Sequence, residues 1–321
     1  MQQHIFITRP IPESAIAALR TQGHTVTVRT KKTAPSAKEL RKLLSQAPYT
    51  VLVSFLTDTV DAALFSVAPS LKLVANYAVG FNNIALEEAK KRGIAVTNTQ
   101  GTSGNAVAET TIALMMALTT RLVEGDRFVR AKKFKGWDPY LFLGTDLARK
   151  TIGLIGAGEI GSIVAKRMLQ GFECPVIYYD VRRNETLDAL GAVYMTKEEV
   201  LQKADIVSLH VPLLPETTHL INETTLGLMK KEALLINTAR GPVVDEKALI
   251  AALQTGRITG AGIDVYEFEP KVSRELRKLE NIVLTPHIAS ARISVREAMG
   301  QKIVENITAF SEGGSFKNLA V

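Results

Sequence analysis

Residues 151–161 read TIGLIGAGEIG: an apolar run, then glycines at 156, 158 and 161, then the start of a helical run, EIGSIVAKRM. The order apolar run, glycine turn, helix predicts a strand that passes through a tight turn into a helix packed back on it. The rest of the chain repeats this alternation twice. Before it, strands are expected at 4–8, 25–28, 50–54, 71–78 and 94–98, with helices near 12–23, 36–47, 60–66 and 84–92. After it, PVIYYD, DIVSLHVP, ALLINTA, ITGAGID and IVLTPH read as strands, with TKEEVLQKA and DEKALIAALQTG as helices between them. Such alternation implies parallel sheets covered on both faces. Two long, largely apolar stretches, 102–133 and 294–314, flank the second series, and each is expected to be one continuous helix. The expectation is therefore an α/β protein with two Rossmann-like, doubly wound parallel-sheet domains. The first is discontinuous and flavodoxin-like, from 1–101 and 290–321; the second is 102–289.

Composition narrows the class. The 321 residues are 46% hydrophobic and 22% charged, an ordinary globular balance with length for two domains. A single cysteine, Cys174, excludes an intrachain disulfide and suits a reducing compartment, so a cytoplasmic location is expected. No apolar run reaches the ~20 residues of a membrane span, and MQQHIFITRP is not patterned as a signal peptide. Net charge is +7 and the pI about 9.4, but the basic residues are scattered among acidic ones. That distribution argues for a solvated surface and against a nucleic-acid stripe, and neither a nucleic acid nor a membrane is expected as a partner. No zinc-type ligand spacing is present, so no metal is expected.

The glycine loop carries the first chemical reading. Gly156 permits the turn, Gly158 lets backbone approach a pyrophosphate, and Gly161 lets helix and strand pack closely. The helix start, Gly158–Glu159–Ile160, offers free N–H groups and a partial positive charge to phosphates. The next strand ends at Asp180, 19 residues past Gly161. A carboxylate there accepts from a ribose 2′-hydroxyl and repels a 2′-phosphate, which favours NAD(H). Arg182 and Arg183 follow it and keep NADP(H) open.

Three ionisable residues fall at the carboxyl ends of later predicted strands, where open α/β sheets bind ligands. Each has an ordinary reading: Arg240 as an ion pair, Glu269 as a solvated acid, His287 as a packed core residue. Downstream of a dinucleotide loop they form a chemical set. Hydride transfer to a ketone needs a proton for the new alkoxide, which His287 can donate. It needs a clamp on a carboxylate, which the planar, permanently charged Arg240 suits. A carboxylate at 269 would favour the imidazolium form of His287. His4, His24, His210 and His219 are read as structural, and Cys174 as a small buried hydrophobe.

With these residues in place the chain resembles the D-isomer specific 2-hydroxyacid dehydrogenase family over essentially its whole length. The resemblance rests on VANYAVGFNNI (74–84), RKTIGLIGAGEIG (149–161), HVPLLPETTHLI (210–221), LLINTARGPVVDEKAL (234–249), AGIDVYEFEP (261–270) and LTPHIASA (284–291). It is closest in pattern to glyoxylate/hydroxypyruvate reductases, through ANYAVGFNNI and GWDPYLFLGTDL (136–147). The resemblance implies reduction of a small anionic 2-oxoacid to the D-2-hydroxyacid, with Arg240 as clamp, Glu269 as partner acid and His287 as proton donor. It assigns Gly156, Ala157, Gly158, Glu159, Ile160, Gly161, Asp180, Val211, Pro212, Thr217, Thr238, Ala239, Arg240, Asp264 and His287 to the cofactor. It assigns Leu56, Val79, Gly80, Trp137, Arg240, His287 and Ser290 to the substrate, Val79 and Gly80 through backbone N–H. It also implies a homodimer. The chain departs from the family pattern at Gly104, where many members carry threonine or a bulkier residue. Phosphite dehydrogenases share much of the pattern but carry a lysine where this chain has Val79. Other D-2-hydroxyacid dehydrogenases, 3-phosphoglycerate dehydrogenase among them, and NAD(H)-sensing corepressors are the alternative readings.

Overall fold

The computed structural model describes residues 1–320 and divides them into two compact units, Met1–Ser103 with Ala291 onward, and Gly104–Ser290. In the first unit the strands are β1 (His4–Ile7), β2 (Thr25–Val28), β3 (Val51–Ser54), β4 (Leu73–Asn76) and β5 (Ala95–Thr97). They alternate with α1 (Glu13–Thr21), α2 (Ala37–Leu44), α3 (Ala62–Val67) and α4 (Leu86–Lys91). The second unit opens with α5 (Gly104–Thr119) and α6 (Leu122–Arg130). It continues through β6 (Ile152–Ile155), α7 (Glu159–Gly171), β7 (Val176–Tyr179), α8 (Glu185–Ala189), β8 (Val193–Tyr194), α9 (Lys197–Lys203) and β9 (Ile206–Leu209). It ends with α10 (Glu223–Leu228), β10 (Leu234–Asn237), α11 (Glu246–Gln254), β11 (Gly260–Ile263), α12 (Arg274–Lys278) and β12 (Ile282–Leu284), and α13 (Ile293–Glu312) then returns to the first unit.

Both sheets are wholly parallel. The first has the order β2-β1-β3-β4-β5, the flavodoxin-like arrangement, and the second β12-β11-β10-β9-β6-β7-β8, the Rossmann order with one added strand. Each sheet therefore has one point where the strand order reverses, beside β1 and β3 in the first and beside β6 and β9 in the second. The runs VLVS, LVAN, IGLI, IVSL and LLIN are buried at every residue, as strands covered on both faces must be. In the second unit one apolar layer joins the sheet to α5 and α7 through Ile112, Met115, Val164 and Met168. The opposite layer uses Val200, Leu226, Leu249 and Leu253 of α9, α10 and α11. In the first unit Leu40 and Leu44 of α2 and Phe65 of α3 cover one face. This burial, about 1.5–3 kcal/mol for each large side chain, is the main stabilising contribution.

One expectation is corrected. The stretch 102–133 is not one helix: it breaks at Thr120–Arg121 and bends by 65° between α5 and α6. The hydroxyls of Thr119 and Thr120 both donate to the Met116 carbonyl, and the Thr119 carbonyl accepts from the Thr145 N–H at 2.8 Å instead of continuing the helix. Arg121 then takes a left-handed conformation (φ 54°) and pairs with Glu124. Among the described residues, α6 buries no side chain, and no single helix is long and apolar enough to cross a membrane.

Candidate active site

The glycine loop joins β6 to α7 at the strand-order reversal of the second sheet. Gly156 has φ 100°, and a Cβ there would lie 2.7 Å from the His210 carbonyl group; a Cβ on Gly161 would lie 2.2 Å from the Gly156 oxygen. These two glycines are required by space. Gly158 differs: it caps α7 without a side chain, and nothing lies within 4 Å of where its Cβ would be. The first N–H groups of α7, from Glu159 and Ile160, thus stand at a helix N-terminus with open space beside Gly158. That is the arrangement a pyrophosphate requires, so the loop fits a dinucleotide.

Asp180, just past β7, turns its carboxylate to the same loop. It accepts from the Ala157 N–H at 2.6 Å and the Arg182 N–H at 3.3 Å. Arg183 is held away by Asp188 at 2.6 Å. The second wall of the loop is the end of β9. There His210 is half-buried, its pKa lowered to about 4 by desolvation, so the ring is neutral. Val211 is half-buried and Pro212 exposed, and the Thr217 hydroxyl donates to the Pro212 carbonyl at 2.6 Å.

Arg240 follows β10. Asn237, buried at the strand end, accepts from the Ala239 N–H and donates to the Arg240 carbonyl, both at 3.0 Å, which fixes the turn. Thr238 is buried, its hydroxyl 2.8 Å from that of Thr111 on α5. The Arg240 guanidinium donates to the Ala239 carbonyl at 2.6 Å; its other donors meet no acceptor among the described residues. Burial pushes its pKa down and the nearby Glu269 charge pushes it back up, yet an arginine stays cationic. A half-buried cation with open donors has the chemistry to receive an anion.

His287 follows β12 with φ 54°, a left-handed conformation costly for any residue but glycine. Asp264, fully buried at the end of β11, holds it there. The Asp264 carbonyl accepts from the His287 N–H at 2.9 Å. Its carboxylate accepts from the Thr285 hydroxyl at 2.6 Å and from the N–H groups of Ile288 and Ala289 at 2.9 and 2.8 Å. Asp264 thus acts on the site through the turn it ties. The His287 Nδ1 is 2.9 Å from Glu269 Oε2, and the carboxylate must be the acceptor, so Nε2 is the nitrogen left open. Glu269 also accepts from the Tyr266 N–H at 2.9 Å. Burial pushes the Glu269 carboxyl up, but the hydrogen bond and charge of His287, the Tyr266 N–H and the Arg240 charge together hold it below the usual carboxylate range.

In the first unit, taken by itself, a turn presents backbone donors. At the end of β4 the carbonyls of Val79 and Gly80 accept from the side-chain amides of Asn98 and Asn76, both at 2.8 Å. The N–H groups of Val79 and Gly80 have no partner among the described residues. Leu56 sits exposed in the turn after β3. Asp58 ties this turn, accepting from the Phe55 N–H at 2.8 Å and the Thr8 hydroxyl at 2.5 Å.

The structure therefore joins Arg240, Glu269, His287 and Asp264 in one network. Trp137 is not part of it: it lies in the loop between α6 and β6, 84% exposed. Ser290 is half-buried at the end of the second unit, and Gly104 opens α5, where a Cβ would meet the Glu159 carboxylate at 2.5 Å. A separate cavity of about 420 Å³ lies at the amino ends of β9–β12, the opposite end of that sheet, with paired charges at its rim. Sequence reasoning missed the asparagines: Asn76, Asn98 and Asn237 fix the turns that present the donors. Their one sequence signal is a polar residue ending an apolar strand run.

Comparison with known proteins agrees with this geometry. Residues 112–289 match the D-isomer specific 2-hydroxyacid dehydrogenase, NAD binding domain. The chain is 45% identical over 324 residues to the glyoxylate reductase of Thermococcus litoralis, covering 99% of this chain and 97% of that one. Among solved structures, a Thermus thermophilus protein superposes with TM-score 0.92 at 41% identity, covering 99% and 100% of the two chains. The Aquifex aeolicus D-lactate dehydrogenase complexed with NAD and lactic acid gives 0.86 at 33%, covering 99% of each. The chain belongs to the D-isomer specific 2-hydroxyacid dehydrogenase family of oxidoreductases.

Proposed function

We propose that this enzyme reduces small 2-oxoacids, glyoxylate foremost and hydroxypyruvate with it, using NADH. The observation that carries the reading is the His287–Glu269 pair beside Arg240, with His287 Nε2 and most of the guanidinium donors left open. When bound, the reduced nicotinamide supplies a hydride to the keto carbon. The protein's residues do the rest. Arg240 binds the carboxylate and orients the adjacent carbonyl, and the family pattern assigns the N–H groups of Val79 and Gly80 to the same carboxylate. His287 gives the Nε2 proton to the oxygen as it becomes an alkoxide, and Glu269 holds the ring through Nδ1. The His287 side chain is 28% exposed, so water can return the proton. Gly156 to Gly161 hold the pyrophosphate; Val211, Pro212, Thr217, Thr238 and Ala239 line the cofactor's path. The family pattern assigns Leu56 and Ser290 to the substrate's surroundings. The T. litoralis relative is named for glyoxylate, which supports this substrate class.

Preference for NADH over NADPH rests on Asp180 at the loop and on Arg183 being engaged by Asp188, which leaves Arg182 alone to receive a 2′-phosphate. The test is loss of reduced-nicotinamide absorbance with glyoxylate or hydroxypyruvate and each cofactor in parallel. Oxidation of NADH with both acids, and formation of the D-product from hydroxypyruvate, are expected. No turnover of either acid would overturn the reading.

A homodimer is supported by a separate observation. Leu122, Val129, Tyr140 and Leu143, on α6 and the loop after it, are 65%, 59%, 80% and 63% exposed. With Trp137, 84% exposed, they concentrate exposed large apolar side chains in one stretch of chain, a composition that favours an interface. Light scattering on the purified protein is expected to give twice the chain mass, and a monomer would exclude the arrangement.

A further inference from the structure

Two glutamates sit two residues apart in Tyr266–Glu267–Phe268–Glu269, and each holds a histidine. Glu269 holds His287. Glu267 holds His219, with Nε2 2.8 Å from Glu267 Oε1. The other Glu267 oxygen accepts from the Glu246 N–H, the first of α11, at 2.9 Å. The Glu267 side chain is 13% exposed, and that of His219 43%. His219 is also left-handed, at φ 51°, much as His287 is at 54°.

The backbone of His219 adds a second connection. Its N–H donates to the Pro242 carbonyl at 2.8 Å, and its carbonyl accepts from the Asn222 side-chain amide at 3.0 Å. Pro242 lies two residues after Arg240, and Glu267 two residues before Glu269. One residue thus grips the turn that carries the clamp through its backbone and the turn that carries the acid through its ring. The two turns also touch directly: a Cβ on Gly241 would fall 1.8 Å from the Tyr266 oxygen, so no side chain fits between them. On the far side of the Glu269 turn, the Tyr266 hydroxyl donates to the Thr285 carbonyl at 2.9 Å, two residues before His287. Burial pushes the Tyr266 pKa up to about 12, so it remains a donor. The network therefore runs from the Arg240 turn through His219 and Glu267 to Glu269 and His287.

We propose that His219 and Glu267 form a positioning pair that sets Glu269 against His287 and fixes that turn relative to Arg240. This rests on the reading of Arg240, Glu269 and His287 as the reacting set. Neither member touches substrate in this scheme; each acts through the turn it holds. A displacement of about 1 Å in such a group costs up to about a hundredfold in rate. A purely structural pair would instead affect folding and cofactor binding together.

The experiment compares His219→Ala, Glu267→Ala, their combination and His219→Gln with the wild type. Turnover of glyoxylate with NADH, the NADH dissociation constant by fluorescence titration, and the ring-proton NMR shifts of the histidines are measured on each; with five histidines in the chain, these are assignable. Each alanine variant is expected to lower kcat about tenfold or more, with NADH affinity within about twofold of wild type. The double variant should be no worse than either single one, because the pair acts as a unit. His219→Gln, which keeps a side-chain donor toward Glu267, should restore most of kcat. In the alanine variants the His287 shifts should move toward those of Glu269→Ala. Wild-type kcat with unmoved His287 shifts overturns the proposal, and so does a loss that follows NADH affinity or is additive in the double variant. If the wild type reduces no 2-oxoacid while the His287 shifts still move, the positioning pair stands and the assigned reaction falls.

Discussion

Turns in the two units leave hydrogen-bond donors open in opposite ways. In the first, the turn after β4 presents backbone: the N–H groups of Val79 and Gly80, aimed by Asn98 and Asn76, which hold the carbonyls of the same residues. In the second, the turns after β10, β11 and β12 present side chains: Arg240, Glu269 and His287, each held by a neighbour that is not itself exposed chemistry. A backbone donor is indifferent to the residue that carries it and sensitive to what holds the chain behind it. A side-chain donor is sensitive to both. The difference is expected to make Val79 replaceable and its asparagines not, whereas in the second unit the named side chains themselves should be needed.

The sharpest test of that contrast is His287→Asn. It removes the proton donor while keeping a polar side chain, and kcat for glyoxylate is expected to fall about 10³-fold with NADH affinity unchanged. Arg240→Lys keeps the charge but loses the planar fork, and kcat/KM should fall about a hundredfold, mainly through KM. In the first unit, Asn76→Ala or Asn98→Ala frees one carbonyl and should lower kcat/KM about tenfold, the worth of one hydrogen bond of about 1–1.5 kcal/mol. Val79→Ala should change it less than about threefold. Steady-state kinetics on the five variants reads all of this; a Val79→Ala loss exceeding that of Asn98→Ala would break the comparison.

The smallest effect is in pH dependence of stability. The Glu269 carboxyl is held below its ordinary value in the folded state. A depressed carboxyl contributes stability above its unfolded pKa, about 4.3, and loses it as pH falls through the lower folded value. Thermal unfolding of wild type and Glu269→Gln is therefore expected to differ most near neutral pH and to converge toward pH 3. A gap that widens on acidification would show the carboxyl is not held in that form.

Much of this was readable in the residues alone, and for a local reason. Strand and helix alternation is a pattern of neighbours, so Val51–Ser54 or Ile206–Leu209 announce themselves as buried strands, and Gly156–Gly161 as a turn into a helix. Where a tertiary contact overrode the local pattern, the reading failed. The apolar stretch 102–133 is helical by composition, yet it breaks because Thr145, twenty-six residues past Thr119, captures a carbonyl the helix would have used.

The site divides along the same line. Arg240, Glu269 and His287 are visible in the sequence because their side-chain chemistry is rare in that order and each follows a strand run. Nothing in the letters says that Asp264 ties down the His287 turn, that Asn76 and Asn98 hold carbonyls so that two N–H groups stand free, or that His219, an ordinary loop histidine by its neighbours, pairs with Glu267. Those relations join residues up to 48 positions apart, as His219 and Glu267 are. Residue type and local spacing settle which groups a strand end carries; only the packing of one turn against another decides which of those groups are held, which are consumed, and which remain open to a ligand.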